Sequence, residues 1–269
     1  MKIVYFLMLL LLLFSIIYPL FFVLFTSFKD YAQFVKNPFS ISFSHPENYV
    51  TAWTVGNFSK YFTNSVIVVC SIMIVQLFLT SIISFAIGRL KFKGCGIIYF
   101  FALSTMFFSG EITSIPLFLL IRDLNLYDSY WALIVPGMLA LSGTGVMLGS
   151  NFLRKIPHEI IEASIIDGAG ILRVFFSIDL HFLRSIIILQ AVLSFNAIWS
   201  DYMWPLIVIP TNQNHWTLPL GLVKFYSVNN ANFGVLSAGL CIITLPVILF
   251  YAFFSKYFIE GVSMGAVKG

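Results

Sequence analysis

Of the chain's 269 residues, 59% are hydrophobic, 17% aromatic and only 10% charged, a balance that excludes an ordinary water-soluble domain and indicates a membrane protein. Fifteen basic against eleven acidic residues leave a net charge of +4, too weak to argue for a nucleic-acid partner. The cysteines, Cys70, Cys95 and Cys241, are odd in number and form no Cys-x-x-Cys pair, so neither a disulfide framework nor a zinc site is indicated.

Crossing a hydrocarbon layer of ~30 Å takes roughly 20 apolar residues in a helix. Runs of that kind lie at about Ile3–Phe28, Phe62–Gly88, Ile97–Ile121, Tyr130–Ser150, Arg184–Ile209 and Phe233–Phe258. They predict an all-α, polytopic membrane protein with six transmembrane helices, because a β-barrel would show short alternating segments instead. The first run follows Lys2 as a signal peptide's would, yet it is too long for a signal core and has no small-residue cleavage site before Tyr18-Pro19, so it is read as a mature helix. The longest polar stretch, Lys29–Tyr61, is too short and mixed to build a core alone, and residues 1–269 are read as a single membrane domain.

With the N-terminus inside, Lys2, Arg89, Lys91, Lys93, Arg154, Lys155, Arg173, Arg184, Lys256 and Lys268 fall on the cytoplasmic side and Lys29, Lys36, Lys60, Arg122 and Lys224 outside. This asymmetry satisfies the positive-inside bias and predicts that both termini are cytoplasmic.

The segment between the fourth and fifth runs, 151–183, is too polar to span and too apolar for a linker. Pro157 suits a first helical position, Glu159 the positive end of a helix dipole, and Gly168 a left-handed stop, which predicts a helix of about ten residues. On a helical wheel Ile160, Ile161, Ile165 and Ile166 point several ways, as for a helix held in a protein groove rather than on lipid. By pattern alone the segment is either such a lever or a packed loop closing the bundle, and Glu162 either a docking carboxylate or a solvated one. Asp179 is expected to cap the start of the fifth helix.

In or beside the fifth run stand Asn196, Trp199, Asp201, Tyr202 and Trp204, and Asp201 is its only acidic residue. An intramembrane carboxylate faces a cavity or a partner, unless it lies at the wet interface. The loop 210–232 contributes Asn212, Gln213, Asn214, His215, Trp216, Phe225, Tyr226 and Asn229, either the aromatic-plus-amide chemistry that suits sugars or an interfacial belt.

No enzyme site is indicated: His45, His158, His181 and His215 are scattered, and the chain lacks any Gly-Lys dipeptide and so any phosphate-cradling G-x-x-x-x-G-K loop.

The stretch Glu162-Ala163-Ser164-x₃-Gly168-x₉-Ile178-x-Leu180, preceded by Ile156-Pro157 and containing Asp167-Gly168-Ala169, resembles the EAA loop of permease subunits in bacterial binding-protein-dependent ABC importers. The resemblance runs through Tyr18-Pro19, Ser27-Phe28-Lys29, Glu47-Asn48-Tyr49 and Asn64-Ser65. It ends on Gly261-Val262 and Gly265-Ala266-Val267-Lys268-Gly269, similar to the tail of the second permease in maltose-type carbohydrate importers. Met106-Phe107-Phe108-Ser109-Gly110 and Trp131-Ala132-Leu133-Ile134 look like a subgroup associated with larger oligosaccharides or polysaccharide fragments. The chain departs from the family pattern at Ser164, usually Ala, and at His181, usually Pro.

What the resemblance implies is a non-catalytic subunit of a sugar or oligosaccharide importer in the bacterial cytoplasmic membrane. Its partners would be a second permease, two ATP-binding subunits that carry the ATP and Mg, and an extracytoplasmic solute-binding protein, with no cofactor on this chain. Glu162, Ala163, Ser164, Asp167, Gly168 and Ala169 would dock the ATPase through a coupling helix, and Gly265, Ala266, Val267, Lys268 and Gly269 would reach between the ATPase subunits. Asn196, Trp199, Asp201, Tyr202, Asn214 and Trp216 would line the sugar path or meet the binding protein. The alternatives are a permease for a non-sugar solute, or an ATP-independent channel or carrier, against which stand the lack of evident inverted repeats and the few intramembrane ionisable residues.

Overall fold

The computed structural model describes residues 2–90, 92–108, 110–228 and 232–266, the side chains of 2, 3, 158, 227, 228 and 257–266 excepted. In chain order the α-helices are α1 (Lys2–Thr26), α2 (Tyr31–Lys36), α3 (Glu47–Thr54), α4 (Phe58–Arg89), α5 (Cys95–Ser104), α6 (Gly110–Asp123), α7 (Trp131–Leu139), α8 (Gly143–Lys155), α9 (His158–Ile166), α10 (Ile171–Val174), α11 (Leu180–Phe182), α12 (Arg184–Trp199), α13 (Met203–Val208), α14 (Leu218–Val228) and α15 (Phe233–Ala266). Among the described residues there is no strand, as expected where backbone polar groups must be satisfied within each segment.

Val4–Thr26, Phe58–Arg89, Trp131–Lys155 and Phe233–Lys256 are long and apolar enough to cross a membrane, while Cys95–Phe107 and Gly110–Asp123 qualify only together, as one bent pair. The described residues therefore give four crossings by length and composition, or five with the bent pair. The run expected to cross at Arg184–Ile209 is not one helix. α12 has 16 residues, about 24 Å at 1.5 Å per residue. It ends before Asp201, whose Oδ1 accepts from the Trp204 N–H at 3.2 Å as α13 begins. On its other side helical backbone already runs from Ile171 through a π-helical turn, Phe175–Asp179, and α11.

The chain forms two compact units, residues 1–65 with 213–248, and residues 66–212 with 249–269. In the first unit, buried polar side chains close backbone carbonyls. Asn48 Nδ2 donates to Ser27 O and Lys29 O, both at 2.9 Å, and Asn64 Nδ2 donates to Asn214 O at 2.9 Å and Trp216 O at 2.8 Å. Ser65 Oγ accepts from the Leu218 N–H at 2.8 Å. Lys29, wholly buried, donates through Nζ to Pro38 O at 2.6 Å.

In the second unit α8 lies so close to α4 that a Cβ on Gly149 would stand 2.5 Å from Ser84 Oγ, and one on Gly145 would stand 2.8 Å from Thr80 Cγ2. Small residues that let backbones approach are what bind helices where lipid removes the hydrophobic driving force. A polar chain crosses the same unit: Gln190 Nε2 donates to Ser194 Oγ at 3.0 Å, Ser194 Oγ to Gln76 Oε1 at 2.7 Å, and Gln76 Nε2 to Ala140 O at 2.8 Å.

Candidate functional site

α9 begins one residue later than expected, because Pro157 has φ −51° and ψ 136° and so stands before the helix rather than in its first turn. Glu159 occupies that first turn, where a carboxylate favours the dipole. The stop is as the sequence predicts. Gly168 has φ +81°, the Ala169 N–H donates to Ser164 O at 2.9 Å and the Gly168 N–H to Ile165 O at 3.0 Å, the paired bonds of a Schellman motif. A Cβ at Gly168 would meet nothing within 4 Å, so backbone conformation alone requires glycine there.

One side of this nine-residue helix is anchored. Ile161 and Ala169 pack against the buried cluster of Phe85, Leu153, Ile156, Val174, Phe175 and Leu183. The rest is open: Ile160 is 41% exposed, Ile165 58% and Ile166 85%, and Glu159, Glu162, Ala163, Asp167 and Gly168 are exposed beside them. The four isoleucines thus divide into one anchor and three surface groups. Surface isoleucines next to carboxylates make a face suited to a protein partner. Ser164 is half-buried, and its hydroxyl donates to Ile161 O at 2.7 Å, so the hydroxyl that distinguishes it from Ala is absorbed by the helix's own backbone.

Asp179 does not cap α12, contrary to the expectation. It ends the π-helical turn in αR conformation, makes no side-chain cap, and is wholly buried in an ion pair with Arg89. The helix is already running when it reaches this residue, so there is no free N-terminus for it to cap. Arg89 Nε and Nη2 donate to Asp179 Oδ1 at 3.0 and 2.8 Å, and Nη1 donates to Ile156 O at 3.3 Å.

The other candidate residues have mixed surroundings. In the second unit Asn196 and Tyr202 are exposed and Asp201 is half-buried, whereas Trp199 is buried and stacks on Phe195, centroids 5.4 Å apart. In the first unit Asn214 Oδ1 accepts from Lys60 Nζ at 2.6 Å, and Trp216 is buried 5.9 Å from the Tyr61 ring with Lys224 Nζ 5.8 Å from its centroid. Both tryptophans are thus packed against protein. In the tail, the backbone of Gly265 and Ala266 ends α15, and Val267, Lys268 and Gly269 lie outside the described residues. No cluster of three or more His, Cys, Asp or Glu among the described residues is placed to hold a metal ion.

Sequence reasoning missed the Arg89–Asp179 pair and the chain of Gln76, Gln190 and Ser194. The spacing Gly145-x₃-Gly149 was a visible sign of close helix packing. Nothing comparable marked which arginine would be buried.

No family model matches the chain. It is 34% identical over 257 residues to the probable ABC transporter permease protein YurM of Bacillus subtilis, covering 95% of this chain and 85% of that protein. Over 257 residues it is also 34% identical to the diacetylchitobiose uptake system permease protein NgcG of Streptomyces coelicolor, covering 94% and 84%. The chain belongs to the sugar ABC transporter permeases. This permease is 31% identical to the arabinooligosaccharides transport system permease protein AraQ of Bacillus subtilis, over 94% of its own length and 91% of that protein's. Its fold is that of a chain in the crystal structure of a bacterial ABC transporter involved in the import of the acidic polysaccharide alginate, with a TM-score of 0.83, 20% identity and 96% of both chains covered.

Proposed function

We propose that this permease forms part of the path of an oligosaccharide across the bacterial cytoplasmic membrane and couples that import to ATP hydrolysis on separate subunits through α9. The observation that carries the reading is the surface of α9: three exposed isoleucines beside Glu159, Glu162 and Asp167, on a helix anchored by Ile161 and stopped at Gly168. Carboxylates there can accept charge-assisted hydrogen bonds from basic groups of an ATPase, while the isoleucines lose water to it. A short rigid helix seated in a second protein moves with it as a body. The relatives' names, a diacetylchitobiose and an arabinooligosaccharide system, support an oligosaccharide as cargo.

In this reading residues 1–269 are one membrane domain with six crossings, the fifth made by α12 together with the helical turns before it. The basic residues at the ends of α4 and α8 support a cytoplasmic side for α9 and both termini. A second permease completes the path, two ATPase subunits hold ATP and Mg, and a solute-binding protein delivers sugar from outside. Asn196, Asp201 and Tyr202, at the end of α12, face the path. Asn214 and Trp216 mark the loop that meets the binding protein, and the tail 265–269 reaches the ATPase.

The test is a reconstituted complex of wild type, Glu162→Ala and Gly168→Val, scored for ATPase co-purification, binding-protein-stimulated ATP hydrolysis and uptake of radiolabelled oligosaccharide. Both variants are expected to insert normally, since neither residue lies in a crossing, and to lose ATPase docking and uptake together. Wild-type docking and uptake in both would show that α9 is not the coupling element.

A further inference from the structure

Arg89 is the last residue of α4, Asp179 the last of the π-helical turn, and Ile156 the residue before Pro157 at the entrance to α9. One guanidinium joins all three. The side chains of Arg89 and Asp179 are 4% and 0% exposed, so neither is shared with solvent. The path through α9 therefore starts at a carbonyl held by Arg89 and returns to a carboxylate held by the same Arg89.

We infer that Arg89 and Asp179 are the positioning pair that carries movement of α9 into α4, and hence into the membrane. The inference rests on the reading of α9 as the ATPase-docking helix. Burying two charges costs several kcal/mol per ion, and an apolar pair would hold a packed cluster as well or better. The guanidinium offers what apolar contact does not: a planar fork with fixed donor directions. Ile161 against its cluster can slide. Arg89 bonded at once to Asp179 and Ile156 cannot turn without turning both.

Two further features suit a joint that moves. The π-helical turn, closed by the Leu180 N–H on Phe175 O, holds one residue more than an α-turn. That shifts the register of the helix beyond it by roughly 100°, and such turns occur often at functional sites. Asp179 Oδ1 takes both bonds from Arg89, while buried Oδ2 has no hydrogen-bond partner among the described residues. The carboxylate thus keeps a second acceptor on which Arg89 can hold while the joint moves, so that α9 and the end of α4 stay joined throughout.

The experiment uses the full transporter, native cysteines replaced, with spin labels at position 86 within α4 and at position 170, two residues beyond Gly168, exposed and with open space for a side chain. The distance between them is measured without nucleotide and after trapping with ATP and vanadate. In wild type the distance distribution is expected to stay the same, because α4's end and α9 move as one. In Asp179→Asn it is expected to shift on trapping by more than the width of the distribution, with ATPase co-purification unchanged. Arg89→Lys keeps the charge but lacks the fork, and serves where Asp179→Asn fails to assemble; the double variant Arg89→Gln/Asp179→Asn, a neutral hydrogen-bonding pair, is expected to narrow the shift again. An unchanged distance in both single variants overturns the inference, as does parallel loss of membrane protein and ATPase retention in both, which would make the pair a folding element only. Failure of the docking reading is distinguishable, since it appears as full ATPase retention in Glu162→Ala whatever Asp179→Asn does.

Discussion

Polar residues of the first unit and the α9 segment of the second both carry the sequence resemblance, and the structure treats them in opposite ways. Asn48, Asn64 and Ser65 are buried and bonded to backbone groups far along the chain. Glu162, Ala163, Asp167 and Gly168 are exposed, and next to them Ile166 leaves 85% of its surface in the open. Residues of the first kind are explained by their own fold, because a buried amide that closes two carbonyls needs no ligand. The exposed apolar groups of the second kind find no such explanation within the chain. A family motif therefore mixes structural and functional residues, and burial separates them.

The strongest way to break this contrast is Asn64→Leu. It leaves Asn214 O and Trp216 O without their buried donor, at about 1–3 kcal/mol for each unsatisfied group. Thermal unfolding of the purified complex should start markedly lower, while uptake per assembled complex stays near wild type. A selective loss of uptake at unchanged stability would place Asn64 among the functional residues instead.

Ile166→Ser tests the opposite side. In the isolated permease an exposed isoleucine should be replaceable at almost no cost. In the complex, burying it against a partner is worth about 1.5–3 kcal/mol, so ATPase retention in detergent should weaken by roughly tenfold or more while permease stability is unchanged. Equal loss in both measurements would mean that α9 packs on its own chain.

Gly168 sharpens the comparison by a smaller step. At φ +81° with open space around it, a β-branched residue is strained by roughly 1–2 kcal/mol, whereas Asn tolerates the left-handed region. Uptake should therefore fall in the order wild type, Gly168→Asn, Gly168→Val. Equal activity of the two variants would show that the turn is not held in this conformation during transport.

The parts legible in the sequence are those set by local chemistry. Hydropathy located α1, α4, the α7–α8 pair and α15; Glu159 and Gly168 marked α9's ends. The illegible parts depend on distant partners. Asp179 reads as a helix cap because an Asp before a basic-flanked apolar run usually is one, and only its meeting with Arg89, 90 residues earlier, makes it the buried half of an ion pair. Trp199 and Trp216 read as candidates for the sugar path or the binding-protein contact, and nothing local says that Phe195 and Tyr61 pack against them. The break between α12 and α13 was hidden for a related reason, since hydropathy averages over Asp201 and does not register its bond to the Trp204 N–H.

The smallest expected effect concerns the start of α3, where the first unit does offer a charged group to solvent. Glu47 is exposed, and its own backbone N–H, followed by the bond to His45 Nδ1, holds its carboxyl below the usual carboxylate range. A carboxyl whose pKa is depressed in the folded state adds stability that is complete above its unfolded pKa, about 4.3, and is lost as pH falls through the lower folded value. Protection of the α3 amides against hydrogen exchange should therefore be level from neutral pH to about pH 5 and decline only below the ordinary carboxylate range. In Glu47→Gln that decline should disappear, with protection at neutral pH slightly reduced because the helix loses its acidic first turn. Uptake should be unaffected by the substitution, since Glu47, although exposed like Glu162, makes its bonds within its own turn. A transport defect in Glu47→Gln at normal α3 protection would show that exposure alone, and not exposure beside uncovered isoleucines, is what marks a working surface on this permease.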